Sequence, residues 1–311
     1  VFSLNYKPSS KLEMTLGGGL NQYDGDHFGE LIWARYASNA DLEDRYYISR
    51  SLKNDGDIYL KSFFQATDKF SAYVDLQLRN IDYRLGDSTL NEAGRDNDQQ
   101  AILGDFNYLF FNPKVGFTYQ VNSQNQLYAS FAVANREPVR SDFIDAPNGE
   151  VPQPETLYDV EAGYRIRGTK SALTVNGFYM YYQNQLVLTG ALNDVGANVR
   201  QNVAASYRAG IEVVGEVALN SWLRWGANLS LSQNKIKDFQ EIVYDYATFP
   251  AEIIENDFAN TDISFSPNVI AGSQLQFMPV ENLNITLLSK YVGRQFLDNT
   301  SNPDRAIDAF F

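Results

Sequence analysis

The stretch from Gln126 to Arg167, QLYASFAVANREPVRSDFIDAPNGEVPQPETLYDVEAGYRIR, contains one full unit of the pattern that decides the fold. Apolar residues occupy alternate positions in 127–133 and again in 158–166, which is typical of a strand with one apolar face. A long polar segment joins these two strands, whereas the next reversal uses only Gly168 to Ser171. The repeating unit is a long strand, a long loop, a long strand and a tight turn.

Tight turns rich in Asn, Asp, Gly, Ser and Pro occur along the whole chain. They fall at Lys7–Ser10, Ala66–Lys69, Asn122–Asn125, Gly168–Ser171, Asn220–Ser221 and Pro279–Asn282. Alternating segments flank each turn, and we count about eleven strands with further pieces at both termini. No change of composition marks a boundary, so the sequence predicts one continuous architecture over residues 1–311.

The composition excludes several kinds of site. The chain has no cysteine, which rules out disulfides and thiolate chemistry, and His27 is its single histidine. A site with several histidine ligands is therefore impossible, and His27 is interpreted as an ordinary loop or strand-end residue. We predict no metal site, no cofactor and no catalytic residues, because carboxylate pairs such as Glu252 and Glu255 have no nucleophile or base beside them.

The net charge is −13, and the acidic excess lies in residues 21–57, 86–107 and 234–266. We interpret these three stretches as irregular, solvated segments, which leaves the strands close to neutral. Nucleic acid is disfavoured as a partner because binding its phosphates requires a basic surface.

Strand length, loop asymmetry and aromatic placement favour a membrane β-barrel. Several alternating runs are much longer than a usual strand of about 5 to 6 residues, and tight turns alternate with long loops. On the apolar face, aromatic residues cluster near both ends of the strands: Phe70, Tyr119, Tyr164, Trp225 and Phe277 near the tight turns, and Tyr179, Tyr181 and Tyr291 near the other rim. The opposite face carries Asp75, Arg79, Lys114, Glu161, Arg165, Glu212, Glu216, Arg224 and Lys290. Those charges require water, so the barrel should be wide.

Several short motifs, in this order and at hairpin spacing, add a family resemblance. They are Gly25–Glu30 with Trp33, Asp75–Arg79, Phe111–Gly116, Asn135–Pro138 with Pro154–Thr156, Glu161–Tyr164, Arg208–Glu212, Ser266–Asn268 and Lys290–Thr300. With them the chain resembles the β-barrel of TonB-dependent outer-membrane receptors. The resemblance implies an all-β fold, a transmembrane antiparallel up-and-down β-barrel, of which this chain would supply about eleven to twelve of 22 strands.

The same resemblance implies that residues 1–311 form the C-terminal portion of the barrel, with the plug domain and the last strand absent. It implies a fragment of an active transporter in the outer membrane that takes up a scarce solute, such as an iron-siderophore, with energy from TonB. The implied partners are outer-membrane lipid, TonB through a missing N-terminal part, an extracellular ligand of unknown identity and a surface lipoprotein.

Two sets of residues are candidates for ligand binding at the rim. The first set follows a strand and consists of Arg136, Glu137, Arg140 and Asp142. Its guanidinium groups could bind an anionic ligand, or the four residues could form an ion-pair network that orders the loop. Tyr182, Tyr244 and Tyr246 could stack on a ligand or pack a loop. Two other functions stay open: a passive porin-like channel, and a soluble β-rich carbohydrate-binding or hydrolase domain.

Overall fold

A computed structural model describes residues 1–33, 35–36, 43, 45–86, 104–146, 150–193, 196–245, 247 and 252–311, without the side chains of 46–48, 192, 244 and 253. The strands are β1 (Phe2–Ser9), β2 (Leu12–Glu30), β3 (Arg45–Gln65), β4 (Phe70–Leu85), β5 (Gly104–Gln120), β6 (Asn125–Arg136), β7 (Glu155–Arg167), β8 (Ser171–Leu192), β9 (Asn198–Ala218), β10 (Leu223–Asp245), β11 (Glu252–Asp262), β12 (Val269–Val280), β13 (Leu283–Val292), β14 (Gln295–Phe296) and β15 (Ala306–Ile307). The short helix α1 (Arg140–Ile144) lies between β6 and β7, and Pro303–Arg305 form a 3₁₀ turn.

Strands β1 to β13 form one antiparallel sheet, and β14 and β15 pair with each other in a separate two-stranded sheet. The order runs β1 to β10, then β12 and β13, while β11 pairs with the distal part of β10. The predicted all-β, antiparallel up-and-down fold is confirmed, and β1 and β13 are the two outer strands of the sheet. Of the helices in the described residues, none has the length and apolar character needed to cross a membrane.

The predicted tight turns are confirmed at the corresponding strand ends. At one of them, the Asn122 side-chain oxygen accepts hydrogen bonds from the backbone N–H groups of Gln124 and Asn125, both at 3.0 Å. At another, the Asn220 side chain accepts the Trp222 N–H at 3.0 Å. These Asn side chains satisfy backbone donors that the ladder cannot reach, which is why the turns select Asn.

The interpretation of the acidic stretches as irregular is wrong for two of them. Within residues 21–57, β2 and β3 pair as far as Glu30 and Arg45, and within 234–266 strand β10 pairs with β11. Pairing continues because opposite charges meet across the strands, as in the Arg50–Asp24 ion pair of 2.7 Å. Most of the third stretch, 86–107, lies outside the described residues.

The outer face of the sheet carries an apolar band. On β4 it runs through Phe70, Ala72, Val74, Leu76 and Leu78 and then gives way to Asn80, and on β10 it runs from Leu223 through Trp225, Ala227, Leu229 and Leu231 to Gln233. Residues of the band pair across strands, as Phe70 does with Tyr119. About nine residues per strand lie within the band, which is the length that a tilted membrane strand needs. Its side chains stay exposed, with Ile211 at 53% and Leu287 at 63%, so they are not the core of a soluble sandwich.

The inner face is polar, and tyrosines lie across glycines of the neighbouring strand. Tyr59 is opposite Gly17, and Tyr128 is opposite Gly163. A Cβ atom at either glycine would lie 2.3 Å from the tyrosine hydroxyl, so the ring occupies the space that a side chain would fill. The Tyr128 hydroxyl also donates to the Asn176 side chain at 3.0 Å. These pairs fix the register of strands that lack an apolar core.

Candidate functional site

A segment that we name the inner loop, residues 137–146, leaves the end of β6 and folds onto the inner face of the sheet. It contains α1, whose Asp142 carboxylate accepts the backbone N–H of Val139 at 2.8 Å. An acidic side chain in the first helical turn commonly satisfies such an unpaired N–H. The sequence predicted a long polar excursion here, and the helix within it was not predicted.

Phe143 anchors the inner loop. Its side chain is fully buried, and its ring centroid lies 4.3 Å from that of Phe106 and 6.1 Å from that of Tyr83. Ile81, Leu85 and Phe110 complete this cluster. The strand residues of the cluster belong to the inner face, because those on β4 alternate in step with Arg79 and Phe110 of β5 is opposite Arg79. Burying a Phe side chain contributes about 1.5–3 kcal/mol, which favours the docked loop.

Glu137 joins the inner loop to β3 and β4 through charge. Its carboxylate accepts hydrogen bonds from Lys53 Nζ and from Arg79, at 3.0 Å from Nη1 and 3.2 Å from Nη2. Burial alone would raise the pKa of the Glu137 carboxyl, but the Lys53 hydrogen bond and the nearby Arg79 charge outweigh it and lower that pKa. Glu137 is therefore held as a carboxylate.

Asp55 completes this charge cluster. Arg79 donates to it at 3.0 Å from Nε and 2.5 Å from Nη2, the bidentate geometry that guanidinium groups favour. Two positive and two negative groups thus meet on the inner face. The cluster is neutral, and each buried charge has a partner, as burial requires.

Further polar contacts hold the distal part of the inner loop. Asp142 pairs with Arg200 of β9 at 2.8 Å, and Arg140 donates to Ser49 of β3 at 2.6 Å. Asp145 accepts a hydrogen bond from Asn193, beyond β8, at 3.1 Å. The inner loop therefore bridges β3 and β4 on one side to the β8–β9 hairpin on the other.

A second segment, residues 297–305, folds against the distal ends of β8 to β11. The Asn299 side chain is fully buried and bonds to the Leu188 carbonyl and to the Ser264 N–H. Arg305 pairs with Glu241 at 2.7 Å and with Asp298 at 2.9 Å. The β8–β9 hairpin thus lies between two docked loops.

The structure places the predicted rim residues as follows. Glu137, Arg140 and Asp142 lie in the inner loop, and Arg136 at the end of β6 pairs with Glu155 at 3.5 Å. All four therefore have protein partners, since Arg136, Glu137 and Asp142 form ion pairs and Arg140 bonds to the Ser49 hydroxyl. Their role in ligand binding stays a prediction.

The predicted tyrosines are less well defined by the structure. Tyr182 is half-buried and opposite Leu157 of β7, on the inner face. The Tyr244 side chain and Tyr246 lie outside the described residues, so their role also stays a prediction. His27 lies within β2, with its Nε2 3.2 Å from the Tyr23 hydroxyl.

Sequence reasoning missed the partners of the inner loop. Lys53 and Arg79 are 84 and 58 positions from Glu137, and no local pattern connects them. Phe143 is the only aromatic residue of the inner loop, and an aromatic side chain in a mainly polar segment was the one signal that could have indicated docking.

Long strands with an apolar outer band, a charged inner face and a loop folded inward define the wall of a membrane β-barrel. A family model described as "TonB dependent receptor-like, beta-barrel" matches residues 2–310. The chain belongs to this family, whose barrels lie in the outer membrane of Gram-negative bacteria. No match was found among curated proteins.

Solved structures agree with the fold. The chain is similar to the copper transporter OprC (TM-score 0.74, 14% identity, covering 99% of this chain and 45% of that one). It is also similar to the siderophore receptor PiuA from Acinetobacter baumannii (0.69, 12%, 98% and 46%) and to the ferric-catecholate import receptor Fiu from Escherichia coli K12 (0.66, 13%, 99% and 45%). The chain thus spans somewhat less than half the length of these proteins.

Proposed function

We propose that this chain forms part of the barrel wall of an outer-membrane receptor that imports a scarce solute with energy from TonB. The observation that carries the proposal is the charged inner face with the inner loop docked on it. A wall of this kind lines a wet passage, and the loop lies where it could contact a solute that enters. The proposal assigns the chain to transport rather than catalysis.

We propose further that the chain supplies the C-terminal portion of such a barrel and that a plug domain belongs to the same receptor. TonB, the solute and a surface lipoprotein are its proposed partners. A complex of a metal ion is the solute class to test first, because related folds occur in proteins named as siderophore receptors and as a copper transporter.

The test uses cells that carry the full-length receptor containing this chain. Uptake of radiolabelled ferric siderophores and of copper is measured with and without a functional tonB gene, and with the receptor deleted. We expect uptake of one complex to require both the receptor and TonB. Uptake that persists without TonB would indicate a passive porin-like channel and would contradict the proposal.

A further inference from the structure

A row of aromatic and basic residues crosses four strands on the outer face. It lies at the end of the apolar band that is nearer the long loops. Tyr158 of β7 is opposite Tyr181 of β8, Tyr181 is opposite Tyr207 of β9, and Tyr207 is opposite Lys235 of β10. We name these residues, together with Tyr179 and Lys237, the tyrosine row.

The rings of the tyrosine row pack against one another. Tyr179 and Tyr207 stack with centroids 6.2 Å apart, and Tyr158 and Tyr181 lie 6.4 Å apart. Lys237 places its ammonium group 5.5 Å from the centre of the Tyr181 ring. The row thus consists of two ring pairs on neighbouring strands, with an ammonium group beside the Tyr181 ring.

The tyrosine row has an ammonium group and tyrosine hydroxyls that are free to bind a ligand on the outer face of the sheet. In the described part of the chain, Lys237 is exposed and has no ion pair, whereas Lys235 pairs with Asp262 at 2.8 Å. The hydroxyls of Tyr179, Tyr181 and Tyr207 have no hydrogen-bond partner among the described residues, whereas Tyr158 donates to Gln183 at 3.5 Å. One exposed cation and three hydroxyl groups without a partner among the described residues therefore lie within this row.

The position of the tyrosine row along the membrane normal determines which part of a lipid it can contact. On β8 the outer face is apolar from Leu173 to Tyr181 and becomes polar at Gln183. Tyrosine at such a boundary keeps its ring among acyl chains and its hydroxyl among headgroups. The long-loop side of the sheet is the extracellular side in barrels of this class, so the row lies at the headgroups of the outer leaflet.

We propose that the tyrosine row is a binding site for the phosphate group of an outer-leaflet lipid, with Lys237 as its cation. A phosphate monoester carries a charge of about −1.5 to −2 and three acceptor oxygens, which complements one ammonium group and several hydroxyl donors. The rings give the lipid's sugar or acyl portion a flat surface. This site is on the opposite face of the wall from the solute path and is independent of the imported solute.

The test is native mass spectrometry of the full-length receptor containing this chain, titrated with diphosphoryl lipid A. We expect K237Q to lower the affinity about 5-fold, the effect of one basic residue near a charged lipid surface, and Y207F to lower it by less. The matched control is K61Q, because Lys61 also lies above a tyrosine ring, Tyr59 at 4.8 Å, but on the inner face. That control should bind as the unchanged protein does.

Two further measurements separate a loss of lipid binding from a loss of folding. K237R retains the charge and should bind normally, and heat-dependent gel mobility of each variant verifies that its barrel is folded. Equal affinity of K237Q and the unchanged protein would overturn the proposal, as would an equal loss in K61Q. Equal binding of dephosphorylated lipid A would show that the rings alone hold the lipid and would overturn the phosphate assignment.

Discussion

Arg79 of β4 and Glu137 of the inner loop are joined by two hydrogen bonds of 3.0 and 3.2 Å, although 58 positions separate them in sequence. Arg79 also binds Asp55, and Lys53 also binds Glu137. The contact therefore couples the inner loop to two strands of the wall. Variants that break this contact are made in the full-length receptor that contains this chain.

Replacing Glu137 by Gln should release the inner loop. The variant leaves Lys53 and Arg79 with Asp55 as their single carboxylate, and loss of a charged, part-buried hydrogen bond costs about 1.5–3 kcal/mol. Hydrogen exchange should become faster in residues 137–146. Glu13, which pairs with Lys7 at 3.8 Å with both side chains more than half exposed, gives the control E13Q, for which exchange in the inner loop should not change.

The inner loop should also loosen in acid. Because the pKa of Glu137 is lowered on folding, its contribution to docking is present above the ordinary value of 4.5 and is lost as the pH falls below it. Limited proteolysis of the inner loop between pH 3 and pH 7 measures this effect. E137Q should lack the pH step that Glu137 causes, and an identical pH profile in both proteins would contradict the assignment.

Phe143→Ala should undock the inner loop by removing its anchor. Truncating a fully buried Phe costs about 3–5 kcal/mol, and the aromatic cluster on β4 and β5 would be exposed. Ile144 is the neighbouring residue on α1, and it is 36% exposed, so Ile144→Ala should have little effect. Protease sensitivity of the inner loop compares the two, and equal sensitivity would show that Phe143 is not the anchor.

Gly163→Ala should destabilise the wall because a Cβ atom there would lie 2.3 Å from the Tyr128 hydroxyl. The ring must move, which breaks its hydrogen bond to Asn176 and costs about 1–3 kcal/mol. The control is Gly226→Ala on the same face, where the nearest atom would be 3.8 Å away. The temperature at which the barrel loses its anomalous gel mobility should fall for G163A and stay unchanged for G226A.

Local pattern predicted most of the sheet because alternation and turn chemistry act over a few residues. The hairpin at Asn122–Asn125 and the apolar face of β4 follow directly from sequence. The distal part of β10 and strand β11 could not be predicted from sequence. Both faces of these segments carry polar residues, a pattern that indicates a loop until the cross-strand partners are known. The contacts of Glu137 and Asp142 were also beyond local reasoning, since Arg79 and Arg200 meet them only when the sheet curves around the inner loop.

The fold requires that one face of the sheet contacts lipid and that the other contacts water. This chain has no cysteine, so spin labels can be placed singly within it, at Ser130 and Phe131 of β6 and at Glu161 and Val160 of β7. In receptor reconstituted in bilayers, oxygen should relax the labels at 131 and 160 most strongly, and a water-soluble nickel complex those at 130 and 161. Alternation of this kind would support the membrane wall, whereas equal access of the nickel complex to all four positions would contradict it.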